Sequence, residues 1–135
     1  MKRDMQKELQ ELQDTVGCES SSIWLREDDT IYPFVFLGPN SLALEQVEIP
    51  YDRGLCGYCI SRKKELISND LSGDQRWYQL ADEITKYKTE NIICLPIIIH
   101  DECTGCIQLL NKPGGFNNDD IAKGWDMVSY LINHL

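Results

Sequence analysis

Apolar positions recur along this chain in two rhythms, one helical and one alternating. At the start, Met5, Leu9, Leu12 and Val16 lie 4, 3 and 4 residues apart with polar residues between them, which predicts an amphipathic helix. At the end, Ile121, Trp125, Val128, Ile132 and Leu135 repeat the pattern at spacings of 4, 3, 4 and 3, with Asn118 or Asp119 as the cap. Either stripe can pack on the chain's own sheet or continue into a second copy. Between them the pattern is mostly strands: 22–26, then a turn at Asp28-Asp29, then 31–37, where Pro33 points to an edge or a bulge. Short strands follow at 47–50 and 66–68, a fully apolar one at 92–99, and its hairpin partner at 106–110 beyond a turn at His100-Asp101-Glu102. Two further helices fit, 54–64 with a basic end and 74–87 with Trp77, Leu80, Ile84 and Tyr87 on one side. The order predicts an α+β domain: five or six antiparallel strands, terminal helices on one face and crossover helices with a lid on the other.

A length of 135 residues allows one domain, divided as an N-terminal linker or dimer helix (1–16), a sheet with its lid (17–120) and a C-terminal helix (121–135). The 22 acidic side chains outnumber 13 basic ones, and a net charge of −9 opposes nucleic acid and anionic lipid as partners. The longest apolar run, 92–99, is far short of the ~20 residues that span a bilayer. The first residues lack the apolar core of an export signal, so a cytoplasmic location and reduced thiols are expected for Cys18, Cys56, Cys59, Cys94, Cys103 and Cys106. Cys56-x-x-Cys59 and Cys103-x-x-Cys106 have the spacing of metal ligands, but neither carries the glycine of a zinc knuckle, and no metal site is expected. Neither His100 nor His134 is placed as a general base, and no phosphate-binding loop or Ser-His-Asp set is present.

Four segments in order resemble the GAF family of small-molecule sensing modules, over about 12–135. They are Pro50-Tyr51-Asp52-Arg53-Gly54-Leu55-Cys56-Gly57, then Asn69-Asp70 with Asp74-Gln75-Arg76-Trp77, then 88–97 (KTENIICLPI), then 105–112 (GCIQLLNK). The last two are similar to the phosphodiesterase branch, whose N-K…F-x3-D-E signature is met by Asn111, Lys112, Phe116 and Asp120, with Ile121 in place of its final Glu. There the resemblance implies a structural Lys112–Asp120 salt bridge bracing the loop.

For the ligand pocket the resemblance implies Ser22 beneath the ligand, Phe36 near its ring and Leu37 where cGMP-specific members carry a guanine-reading acid. Cys56 takes the small-residue place beside the phosphate, Asp82, Thr85 and Thr89 line the lid, and Gln108 stands on the last strand. A cyclic nucleotide or another small metabolite is the implied ligand, with occupancy relayed through the terminal helices of a homodimer to a kinase, cyclase or phosphodiesterase output domain. A second reading uses Cys56 at a helix N-terminus as a redox sensor with Cys59, or as the thiol of a methionine-sulfoxide-reductase-like enzyme. The further cysteines of such enzymes correspond to Gln46 and Thr85 here, so a regulatory domain is expected rather than an enzyme. A third reading is a dimerising scaffold with a vestigial pocket.

Overall fold

The computed structural model describes residues 2–135 apart from Asn40 and Gln79, and leaves the side chains of Gln46, Ala81 and Thr85 undescribed. The chain runs through α1 (Lys2–Val16), β1 (Ser20–Glu27), β2 (Thr30–Leu37), a 3-10 turn (Ser41–Gln46), β3 (Ile49–Pro50), α2 (Gly54–Arg62) and β4 (Leu66–Ser68). A second 3-10 turn (Leu71–Gly73), α3 (Leu80–Thr85), β5 (Ile92–Ile99), β6 (Glu102–Leu110) and α4 (Asn118–Ile132) complete it. Six antiparallel strands form one sheet in the order β3-β2-β1-β6-β5-β4. The β5–β6 hairpin turns on His100 and Asp101, both at positive φ (53° and 66°), the backbone that matches strand twist in a tight hairpin.

Side-chain alternation divides the core into two layers. On one face Met5, Leu9 and Val16 of α1 and Val128 and Leu131 of α4 pack on Ile23, Val35, Leu95, Ile107 and Leu109. On the other, Leu55, Cys56, Cys59 and Ile60 of α2 pack on Trp24, Ile31, Ile92, Cys94 and Cys106. Because β5 is covered on both faces, its sequence is apolar throughout rather than alternating. Pro96 fits there because β4 pairs only with Ile92, Ile93 and Cys94, so no partner on that side asks for its missing N–H. Pro33 marks a bulge: the register of β1 against β2 shifts between Ile23 and Trp24, where Val35 gives way to Pro33.

The expected helix over 74–87 is cut to Leu80–Thr85. The Asp74 carboxylate accepts hydrogen bonds from the Arg76 backbone N–H (2.9 Å) and from its guanidinium, a local arrangement that competes with a helical turn. Helix α2 ends at Arg62 because Lys63 is left-handed (φ 54°). The strand expected over 47–50 is only Ile49–Pro50, and the one expected from Cys106 begins at Glu102.

The cap of α4 is Asn117, one residue earlier than expected. Its side chain accepts from the Asp120 N–H (3.0 Å) and the Asp120 carboxylate accepts from the Asn117 N–H (2.9 Å), a reciprocal capping box. The buried face of α4 is also offset, running through Asp120, Gly124, Met127, Val128 and Leu131, while Ile132 and Leu135 stay partly exposed. Gly124 goes with the offset: a Cβ there would press on the Leu95 side chain, so glycine lets the helix sit close on β5 without Leu95 giving way. The α1 stripe is buried in the chain's own core.

Candidate functional site

Adjacent strands build a polar floor. Ser22 on β1 stands opposite Gln108 on β6 and Phe36 on β2, so the three share the face away from the terminal helices. The Ser22 hydroxyl is buried, accepts the Trp24 indole N–H at 2.8 Å, and lies 3.5 Å from the Gln108 carbonyl oxygen. Ser22, Trp24 and Gln108 line a cavity of about 50 Å3 closed over by Trp77, Asp82 and Thr89. A space of that size holds a few water molecules and lies far below the roughly 300 Å3 at which ligand pockets begin.

One carboxylate closes it. Asp82 accepts the Thr89 backbone N–H on one oxygen and the Thr89 hydroxyl on the other, both at 2.8 Å. Burial raises the Asp82 pKa, and the two hydrogen bonds only partly oppose that rise. Outside this latch lies an open groove of about 540 Å3, and Trp77, Asp82, Tyr87 and Thr89 line both spaces. These four side chains therefore stand between the inner cavity and a groove of metabolite size.

The lid exit is tied to the rest of the chain. The Tyr87 hydroxyl donates to Glu19 (2.6 Å) and accepts from Ser20 and Asn111, both at 3.0 Å. Burial first, and the bond to Glu19 next, push its pKa up to about 12. The Asn111 side chain accepts the Glu90 N–H at 2.7 Å and donates to the Lys88 carbonyl at 2.8 Å. Its neighbour Lys112 donates to both oxygens of Asp120 at 2.9 and 2.7 Å, the salt bridge the resemblance implied. Phe116 is buried, and its backbone N–H and C=O are both held by the Asn69 side chain.

Of the residues expected at the ligand, Ser22, Asp82, Thr89 and Gln108 come together at one cavity. Phe36 shares their face through its register with Ser22 but is not among the cavity's lining. Leu37 does not belong to the site: it packs on the core beneath the terminal helices, because the bulge reverses the alternation of β2 between Ile31 and Val35. The side chain of Thr85, the last residue of α3, lies outside the described residues. Trp24 and Trp77 join this lining although the resemblance does not place them there; Trp24 is also core, 2% exposed, two residues from Ser22 on the same strand, and Trp77 lies just before the shortened helix α3.

Cys56 is not a free thiol. It is joined by a disulfide to Cys106, with the Cα atoms 6.4 Å apart, because the first turn of α2 rests on β6. This corrects the expectation of six reduced cysteines and the pairing of Cys56 with Cys59, since each C-x-x-C pair gives one sulfur to a bond between them. Cys59 and Cys103 remain buried thiols whose pKa values burial raises, and burial pushes Cys94 up to about 12. Among the described residues no group of three or more His, Cys, Asp or Glu could hold a metal ion. No helix among them is long and apolar enough to cross a membrane.

Comparison with known proteins agrees with this architecture. The chain is 32% identical over 79 residues to a dual 3',5'-cyclic-AMP and -GMP phosphodiesterase 11A of Takifugu rubripes, covering 56% of this chain and 9% of that protein. It is 30% identical over 76 residues to a probable 3',5'-cyclic phosphodiesterase pde-5 of Caenorhabditis elegans, covering 56% of this chain and 10% of that one. The matched stretch is thus about a tenth of either relative. Among solved structures, a type II free methionine-R-sulfoxide reductase from Thermoplasma acidophilum superposes with a TM-score of 0.82 at 18% identity, over 98% of this chain and 89% of the other. The GAF domain of an Acinetobacter phosphoenolpyruvate-protein phosphotransferase does so with a TM-score of 0.82 at 14% identity, over 98% and 79%. A model of the GAF domain family matches residues 4–123, which take in nearly all of α1, the whole sheet with its lid and the start of α4, and the chain belongs to that family.

Proposed function

We propose that this chain is the ligand-sensing module of a signalling protein, binding a small polar metabolite, with cyclic nucleotides among the candidates. The observation that carries the reading is the Asp82–Thr89 latch over a floor of buried hydroxyl and amide groups. A core built only for stability has no use for Ser22 and Gln108 facing a space, or for a carboxylate whose burial opposes its ionisation. Ligand oxygens or nitrogens would take over the Thr89 and Asp82 bonds, so that occupancy holds the lid in a second arrangement.

The exit of the lid is bonded to Asn111, and Lys112 grips Asp120 in the first turn of α4. In this reading residues 1–16 and 121–135 flank the sensing unit 17–120 and relay occupancy, across a homodimer in the cytoplasm, to an output domain of kinase, cyclase or phosphodiesterase type. The stripes buried under the sheet are spent on the chain's own core, so the dimer would use the outer faces of α1 and α4, where Ile132 and Leu135 stay exposed.

The test is a thermal-shift screen against cyclic mono- and dinucleotides, nucleotides and amino acids, repeated on Gln108→Leu. Binding at a hundredfold excess over Kd adds about 2.7 kcal/mol of stability, several degrees in Tm. A shift shared by wild type and the variant, or none with any compound, counts against the pocket.

A second reading has one observation in its favour, the Cys56–Cys106 disulfide on a fold shared with methionine sulfoxide reductases. A dithiol would reduce the bond; Cys56 would then take oxygen from a sulfoxide, releasing the thioether, and Cys106 would close the disulfide with loss of water. Turnover of free methionine sulfoxide with dithiothreitol, abolished in Cys56→Ser, would favour that reading over a purely regulatory domain.

A further inference from the structure

Three of the chain's five arginines, Arg53, Arg62 and Arg76, line a single open groove of about 590 Å3 between α2 and residues 74–78. Asp52 also lines it and Asp74 neutralises Arg76, so the groove keeps a small positive excess in a chain of net charge −9. The groove is separate from the latch: Ser22, Gln108, Asp82 and Thr89 take no part in it. Its centre is ordered. The Arg62 guanidinium stacks 4.1 Å from the Tyr58 ring centroid and that of Arg76 lies 5.0 Å from it. Arg76 is fixed by two hydrogen bonds to Asp74, at 2.9 and 2.6 Å, and this partner holds the Asp74 carboxyl well below the usual carboxylate range. Among the described residues neither Arg53 nor Arg62 is paired with a carboxylate. Stacking orients the planar fork of Arg62 while leaving its N–H edge free, which lowers the entropy lost when an anion is gripped.

We propose that this groove binds a small molecule carrying two or more linked phosphoryl groups. Guanidinium forks match phosphoryl oxygens two at a time. Arg53, the residue before α2, and Arg62, its last residue, have backbones about 13 Å apart at ~1.5 Å per residue, so the two forks can each take a different phosphoryl group of one chain. Size follows from the rest of the charge. A nucleic acid or membrane meets the field of the whole acidic surface, whereas a small anion samples only what lies within a Debye length, ~8 Å at physiological salt. Trp77 lines this groove and the inner cavity alike, so its fluorescence reports binding here.

The experiment titrates the intact chain with inorganic tripolyphosphate, orthophosphate and citrate, read by calorimetry and by tryptophan fluorescence. Saturable binding of tripolyphosphate is expected, at least tenfold tighter than orthophosphate and weakening as salt rises. Arg62→Gln and Arg53→Gln each lower that affinity at least tenfold, while Arg3→Gln, with the same loss of charge on α1, leaves it unchanged. Circular dichroism of each variant establishes that it folds. No saturable binding of tripolyphosphate overturns the site, and so does an equal loss in Arg3→Gln, which would leave only bulk charge. Citrate binding as tightly as tripolyphosphate overturns the phosphoryl assignment.

Discussion

Thr89→Val isolates the latch. Thr89 is 6% exposed, and valine keeps nearly its shape while removing the hydroxyl that donates to Asp82 at 2.8 Å; the backbone N–H bond to the other oxygen stays. A hydrogen bond to a charged group contributes about 1.5–3 kcal/mol, against roughly 1 for a neutral pair. Burial raises the Asp82 pKa, so the measurement belongs on the alkaline side of neutrality, which favours the carboxylate. With 1.4 kcal/mol per factor of ten, the closed lid loses about 10- to 100-fold in population relative to the open one. Native-state hydrogen exchange over Leu80–Thr85 reads that change directly, as faster exchange of α3 by the same factor with β5 and β6 unaffected. A change under twofold in α3, or equal acceleration in the central strands, would refute the idea that one side-chain bond holds the lid.

Three further outcomes follow from the same structure. Lys112→Met leaves Asp120, 2% exposed, without its cation and should cost about 3–5 kcal/mol in urea unfolding at neutral pH; a loss under 1 kcal/mol would mean the pair is effectively solvated. Because the folded chain holds the Asp82 proton more tightly than the unfolded chain, stability from this group falls as pH rises from ~3.9 through its raised value and is level above it. Asp82→Asn should remove that slope, so the stability of the variant relative to wild type grows across the window; parallel pH profiles would count against a buried carboxylate. Opening the Cys56–Cys106 disulfide, which spans 50 residues, should lower stability by about 4 kcal/mol on loop-closure grounds, measured as the difference between Cys56→Ser/Cys106→Ser and the oxidised chain. An unchanged unfolding midpoint on reduction would contradict that tie.

The order of strands and helices was legible because each rests on local signals: turn residues bounding short apolar stretches in β1 and β2, an unbroken apolar run in β5, and seams at spacings of three and four in α1 and α4. The Lys112–Asp120 brace was legible from the signature it belongs to. What escaped were effects decided by a neighbour. A side chain catching its own backbone at Asp74 shortened a helix whose apolar spacing was right. A bulge beside Pro33 in β2 moved Leu37 to the other side of the sheet, although the proline itself had announced an irregularity. The choice of Gly124 over Trp125 as the contact with β5 depended on how closely two surfaces could approach. The disulfide joins cysteines 50 residues apart, and no local spacing reveals which two of six meet.

Whether the latch and α4 form one device or two is a question of coupling energy. A continuous set of bonds links them: Thr89 to Asp82, the neighbouring Glu90 N–H to Asn111, and the neighbouring Lys112 to Asp120 in the first turn of α4. Adjacency in sequence is what joins these bonds, and a peptide unit shared by two hydrogen-bonded residues transmits a displacement only if the bonds on both sides survive it. Spatial continuity alone is therefore no proof of communication. A double-mutant cycle of Thr89→Val with Asp120→Asn supplies the missing quantity. If opening the lid withdraws Asn111 from Glu90, the loss of the Asp120 charge costs less once Thr89 is altered, and the two effects fall short of their sum by about 0.5 kcal/mol or more. Additivity within ~0.3 kcal/mol would assign the Lys112–Asp120 pair to the static scaffold and leave the signal to travel by the sheet, through β5 on which α4 packs.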